Sequence, residues 1–157
     1  MPKVLSWGKC AINVEPIAGT GCPSDFTAMD FPTPVEDSTN LTTTQGDKNE
    51  AKVEGGGVEA VRYNANSYEL TFQIRLHSTL TAPPLDGTDG VIPGEYKVTI
   101  KPENSAAPQV KINRSSANVG IEFTADNGVI ATYTFSSLVV DNGKQIEIGA
   151  DPKGSQL

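Results

Sequence analysis

The ten residues Tyr68-Glu69-Leu70-Thr71-Phe72-Gln73-Ile74-Arg75-Leu76-His77 limit the possible folds more than any other feature of the chain. Every second residue from Tyr68 to Leu76 is apolar, and every residue between them is polar. Successive side chains of a β-strand point to opposite faces, so this run places one face in a core and leaves the other wet. On a helix the same apolar residues would scatter around the axis. Residues 94–101 repeat the pattern with Tyr96, Val98 and Ile100 inward. Val119, Ile121 and Phe123 alternate again, as do Val129, Ala131, Tyr133 and Phe135. Shorter versions are Cys10, Ile12 and Val14 near the start and Ile146 and Ile148 near the end. The alternation predicts core positions for Tyr68, Phe72, Tyr96, Phe123, Tyr133 and Phe135.

Turn chemistry agrees with a sheet. Asp126-Asn127-Gly128 precedes the run from Val129, and Asp141-Asn142-Gly143 separates Leu138-Val139-Val140 from Gln145-Ile146-Glu147-Ile148. Asn-Gly suits tight hairpins whose two central residues both need positive φ. The expectation is an antiparallel meander in the last third of the chain. The best helix candidate is Pro23-Ser24-Asp25-Phe26-Thr27-Ala28-Met29, cut short by Pro32 and Pro34. The fold class expected is therefore all-β: an antiparallel β-sandwich or barrel with a long protruding loop or hairpin and at most one short helix. At 157 residues the chain suits one domain, with residues 150–157 as a flexible tail.

Residues 36–59 fit a compact sandwich poorly. They hold only Leu41, Ala51, Val53 and Val58 as aliphatics, and six acids against Lys48 and Lys52. Thr42-Thr43-Thr44 favours extended structure, while Gly46 and Gly55-Gly56-Gly57 permit sharp turns. A polar, turn-rich excursion this long is usually functional or disordered, and it reads as a protruding acidic arm or long hairpin without a core of its own.

Little supports catalysis, and no cofactor or metal is expected. His77 is the only histidine, at the polar phase of its strand. A triad or Cys–His site would need it, with Cys10 or Cys22 as the thiol. Those two cysteines could bridge in an oxidising place and are ordinary thiols in a reducing one. Asp86-Gly87-Thr88-Asp89-Gly90 offers oxygens for a cation but lacks the EF-hand spacing, so a plain acidic loop is the simpler reading. Twelve basic against 19 acidic residues disfavour a conventional DNA reader. No stretch is apolar for long enough to cross a membrane as a helix. Nor do residues 1–10 read as a secretory signal, because Ser6, Gly8 and Lys9 break any apolar core. Trp7, Tyr63, Phe26 and Phe31 remain as rings outside the alternating strands, expected in a core or an interface.

The order of an N-terminal strand, the wording Thr42-Thr43-Thr44-Gln45-Gly46-Asp47-Lys48-Asn49-Glu50-Ala51-Lys52-Val53-Glu54-Gly55-Gly56, a long alternating strand and then a β meander resembles the tail tube (major tail) proteins of long-tailed bacteriophages. The chain departs from that pattern in having no clear helix. The resemblance implies a non-enzymatic, structural protein of the superfamily shared with type VI secretion tubes. Its subunits would form hexameric rings stacked into a tube, made in the host cytoplasm and carried in the virion tail. The implied partners are other copies of itself, other tail components, and DNA passing through without specific binding. The implied subunit-contact arm carries Thr42, Thr43, Thr44, Asp47, Lys48, Glu50, Lys52 and Glu54. The alternative that the fold class allows is a non-catalytic binding module for carbohydrate or protein.

Overall fold

A computed structural model describes residues 8–36, 38–104, 106–140 and 143–149. Ten strands follow in order: β1 (Ala11–Pro16), β2 (Met29–Asp30), β3 (Asn40–Thr44), β4 (Lys48–Lys52), β5 (Val58–Tyr63), β6 (Ser67–Arg75), β7 (Tyr96–Lys101), β8 (Gln109–Thr124), β9 (Gly128–Ser137) and β10 (Ile146–Gly149). The chain is all-β, and no helix occurs among the described residues. Eight strands form one antiparallel sheet in the order β2-β1-β7-β8-β9-β6-β3, with β10 paired to β8. β4 and β5 form a separate two-stranded sheet.

The sixteen-residue β8 lets this sheet enclose a core. Its first part pairs with β7 and its second part with β9. Between them lies a bulge: Tyr96 faces Ser115 while Val98 faces Ile112, so β8 spends one extra residue there. An extra residue bends a strand and switches which side chains face inward. Ile112 points to the core before the bulge, and Ser115, Ala117 and Val119 after it. The fully buried Ser115 meets its polar demand by donating from Oγ to the Tyr96 carbonyl at 2.8 Å.

The core joins Ile12, Val14, Tyr96, Val98 and Ile112 on one side to Leu70, Phe72, Ile74, Tyr133 and Phe135 on the other. Phe72, Tyr133 and Phe135 stack in near-parallel planes across β6 and β9. Phe26 and Phe31 tie the two sides together: Phe26 lies edge-on to Tyr96, and Phe31 edge-on to Phe72 and Tyr133. Both rings are buried. In place of the expected helix, residues 24–25 form a turn, with the Phe26 N–H donating to the Pro23 carbonyl at 3.2 Å, and the irregular stretch after it enters β2 at Met29. Burying Phe26 and Phe31 in one short Pro-rich segment outweighs the weak helix signal.

Two phenols hold the long connection between β6 and β7. Tyr133 Oη donates to the Leu85 carbonyl at 2.5 Å and accepts the Leu85 N–H at 3.1 Å. Tyr96 Oη donates to the Pro93 carbonyl at 2.5 Å. Burial pushes both phenols well above their ordinary range, so they stay neutral donors.

Three details depart from the sequence expectation. Phe123 is 73% exposed and Ile121 56%, because β8 and β9 run past the end of the core. Their turn is a three-residue loop closing on the pair Thr124–Gly128, with positive φ at Gly128 and none at Asn127. That is the three-residue hairpin solution rather than the two-residue one. Finally, residues 138–140 form no strand, and β10 pairs with β8. Leu138 donates to the Arg114 carbonyl, and Asn113 donates to the Gln145 carbonyl. β9 and β10 thus run in one lane beside β8. Asp141 and Asn142, and the tail at 150–157, lie outside the described residues.

Candidate interaction arm

β3 pairs with β6 from Asn40–Thr71 to Thr44–Ser67. β4 pairs with β5 from Lys48–Tyr63 onward. Three residues lie between Thr44 and Lys48, and three between Tyr63 and Ser67, so the register carries through the break. The two hairpin halves are one ribbon. Its base belongs to the main sheet, and its far half stands off from it. At about 3.3 Å per residue, the stretch from Lys48 to Glu54 extends roughly 20 Å.

The break lies at residues 45–47 and 64–66. Gly46 is required there, because a Cβ would run into the backbone carbonyls of Asn64 and Ala65. The Asn64 N–H donates to the Asp47 carbonyl at 2.8 Å, and the Gly46 N–H to Asn66 Oδ1 at 3.0 Å. Asn66 is held in turn by Gln145, whose Nε2 donates to the Asn66 carbonyl at 2.9 Å. Gln145 Oε1 accepts from Ser137 Oγ at 2.7 Å, and Ser137 Oγ accepts the Tyr68 N–H at 2.9 Å. A hydrogen-bond chain therefore runs from the root of the arm to the junction of β9 and β10.

Beyond the root, every residue of β4 and β5 is exposed. One face of the arm carries two stripes. On β4 they are Lys48, Glu50 and Lys52, with Lys48 Nζ 2.9 Å and Lys52 Nζ 4.0 Å from the Glu50 carboxylate. On β5 they are Val58, Val61 and Tyr63, the last 59% exposed. A bulge between Ala51 and Lys52 sets Val58 opposite Lys52 and keeps it on this face.

The sequence-predicted arm residues thus divide. Thr42, Thr43 and Thr44 sit on β3, the edge strand of the main sheet, where Thr42 Oγ1 donates to the Glu69 carbonyl. Asp47 lies at the root, Lys48, Glu50 and Lys52 on β4, and Glu54 in the distal turn. The arm proper runs from about Gly46 to Asn66, so it ends later than the expected 36–59 segment. Sequence reasoning missed Val58, Val61 and Tyr63 as a stripe. Their spacing is interrupted by the bulge at Glu59, although alternation from Val61 to Tyr63 hinted at it.

Other candidate residues stand apart. His77 is exposed in the turn after β6, where its Nδ1 lies 2.9 Å from Thr79 Oγ1. Cys10 and Cys22 are both free thiols; Cys10 Sγ contacts Thr39 Oγ1, and Cys22 Sγ faces the Glu95 carbonyl at 3.3 Å. Asp86 is occupied with the Gly87 N–H, and Asp89 takes φ of 52°. Among the described residues no three His, Cys, Asp or Glu side chains gather as a metal site would need. No family model matches the chain, and no curated protein does.

Proposed function

We propose that the chain is a structural, self-assembling subunit of a bacteriophage tail tube, whose rings stack into a channel that conducts DNA. The observation that carries this reading is the arm: a two-stranded ribbon, exposed throughout, continuous with an edge strand of the main sheet. A two-stranded ribbon is marginal in water without a surface to pack on. A neighbouring subunit supplies that surface, and its contact offsets the entropy of ordering the ribbon. The outer edge of β3 offers a template for strand pairing between subunits. A net charge of −7 suits a wall that must not hold DNA. The reading involves no reaction and no cofactor.

Electron microscopy of concentrated protein tests this. Rings of about six subunits, or short tubes, are expected. A protein that stays monomeric at every concentration, and that joins no mixed assembly with tail components, overturns the proposal. The sugar-binding alternative gains little, because among the described residues the strongly exposed rings, Tyr63 and Phe123, sit on different elements and make no aromatic row.

A further inference from the structure

The root of the arm and the bulged part of β8 are gripped by the same piece of chain. β9 ends at Ser137 and β10 begins at Ile146, and both ends of the connection between them, 138–140 and 143–145, are held by hydrogen bonds. On the β8 side, the Leu138 N–H donates to the Arg114 carbonyl and the Asn113 N–H to the Gln145 carbonyl, each at 2.9 Å. The Asn113 side chain donates to the Lys144 carbonyl at 2.9 Å, and Arg114 Nη1 to the Val139 carbonyl at 2.7 Å. On the arm side, Gln145 Nε2 donates to the Asn66 carbonyl, and Ser137 Oγ accepts the Tyr68 N–H. Ser137 Oγ also donates to Gln145 Oε1 at 2.7 Å, so the two side chains act together. Gln145 thus meets β8 through its backbone and the arm root through its side chain.

Apolar packing does little to fix this connection. Val139 is 66% exposed. An open cavity of about 310 Å³ lies between the arm root, at Asn66 and Tyr68, and the connection, at Val140 and Gln145. A second, of about 460 Å³, separates Val139 and Val140 from Glu95 and Lys97. Val140 lines both cavities. The connection therefore has room to shift on either side without entering the core, and hydrogen bonds set its place. A segment held in this way opens far more readily than the stacked rings of β6 and β9.

We infer that the ends of the β9–β10 connection form a coupling device, through which the grip of β8 sets how firmly the arm root is held. Its two states are a connection docked on both Asn113 and Asn66, and one released from both. While Asn113 orders the backbone of Gln145, the side chain loses less freedom on reaching Asn66. Linkage requires the reverse effect to have the same factor. A surface that fixes the arm therefore tightens the contact with β8, and a change at β8 loosens the arm at its root. The route runs through Asn113, Gln145 and Asn66, and it stands whether or not the chain builds a tube.

Native-state hydrogen exchange on Asn113→Ala, Gln145→Ala and the double variant tests the coupling. Asn113 lies on β8, away from the arm, yet Asn113→Ala should speed exchange at Gly46 and Asn64 by about threefold or more. Gln145→Ala keeps its backbone carbonyl, yet it should speed exchange at Asn113 and Leu138 by a similar factor. The double variant should exchange little faster than the quicker single one, because either substitution already releases the connection. Amides of Phe72 and Tyr133 should hold their rates in all three. Should Asn113→Ala not fold, Arg114→Lys shortens the hold on Val139 and carries the same expectation at Gly46 and Asn64. Faster exchange confined to the substituted side overturns the inference. Effects that multiply in the double variant also overturn it, because the two grips would then be independent. Equal speeding at Phe72 and Tyr133 overturns it in favour of a general loss of stability.

Discussion

The base and the far half of the same ribbon differ only in what lies beneath them. β3 and β6 share a register with β4 and β5, yet Leu70, Phe72 and Ile74 on β6 are fully buried, whereas Val58, Val61 and Tyr63 on β5 lie open. Backbone pairing is present in both halves. What distinguishes them is apolar burial, which supplies most of the favourable free energy of a sheet. Identical secondary structure can thus be a fixed part of a domain or an adaptable arm, according to its support.

The sharpest way to break this comparison is to truncate one side chain in each half. Phe72→Ala removes a ring that stacks on both Tyr133 and Phe135 and touches Phe31. It should cost about 3–5 kcal/mol. Val61→Ala on the arm should stay within about 0.5 kcal/mol. Urea melts of the monomer measure both, and comparable losses would mean that the arm packs on the domain after all. Next in size is Tyr133→Phe, which keeps the stack but strands the Leu85 N–H and carbonyl at a buried site. A loss of about 1–3 kcal/mol is expected, with the 78–94 connection losing amide protection first.

The same contrast explains what the sequence disclosed. β6 was legible because its alternation is unbroken, and the buried Leu70, Phe72 and Ile74 sit where that pattern puts them. The first half of β8 was not legible. Its bulge moves the inward phase from Ile112 to Ser115, and a serine at a core position hides the strand from any apolar count. Phe123 misled for the opposite reason: alternation reports which face a side chain takes, and it cannot report where the core ends. β10 kept its strand identity but changed its partner. Local turn chemistry at Asp141-Asn142-Gly143 says nothing of the Asn113 and Arg114 side chains that gather the loop from the far strand. The arm was legible as polar and extended. Its root was not, because the link from Gly46 through Asn66 to Gln145 spans residues distant in sequence.

That root sharpens the comparison, since it is where support stops. Gly46→Ala should disturb it most, because the added Cβ meets backbone that cannot give way easily. Gln145→Ala removes one hydrogen bond to the Asn66 carbonyl and leaves Ser137 Oγ short of an acceptor. A global loss of about 1 kcal/mol or less is expected. Hydrogen exchange should nevertheless speed at Gly46 and Asn64, with the β6–β9 amides unchanged. Equal slowing or equal speeding across both halves would show that the arm and domain open as one unit.

The smallest effect comes from acid. Arg114, a residue of the β8 bulge, donates from Nε and Nη2 to the two oxygens of Glu95, each at 2.8 Å, and from Nη1 to the Val139 carbonyl at 2.7 Å. These hydrogen bonds hold the Glu95 carboxyl below its ordinary value of 4.5; desolvation opposes them and the Arg114 charge adds to them. A carboxyl whose folded pKa lies below its unfolded one stabilises the fold above the unfolded value. That contribution fades as pH falls through the folded value. The pair is partly open to water, the Arg114 side chain more so than that of Glu95, so solvent screening keeps the change slight. Protonating Glu95 removes the charge that fixes the guanidinium, and the hold on Val139 loosens with it. Acidification should therefore raise exchange at Leu138 and at the Asn113–Gln145 contact before it reaches the stacked core of β6 and β9. Glu95→Gln should show the faster exchange already at neutral pH, and should flatten the acid dependence. If that variant kept the full acid response at Leu138, the clasp would have to be assigned to Asn113 alone, whose side chain donates to the Lys144 carbonyl and to Glu147.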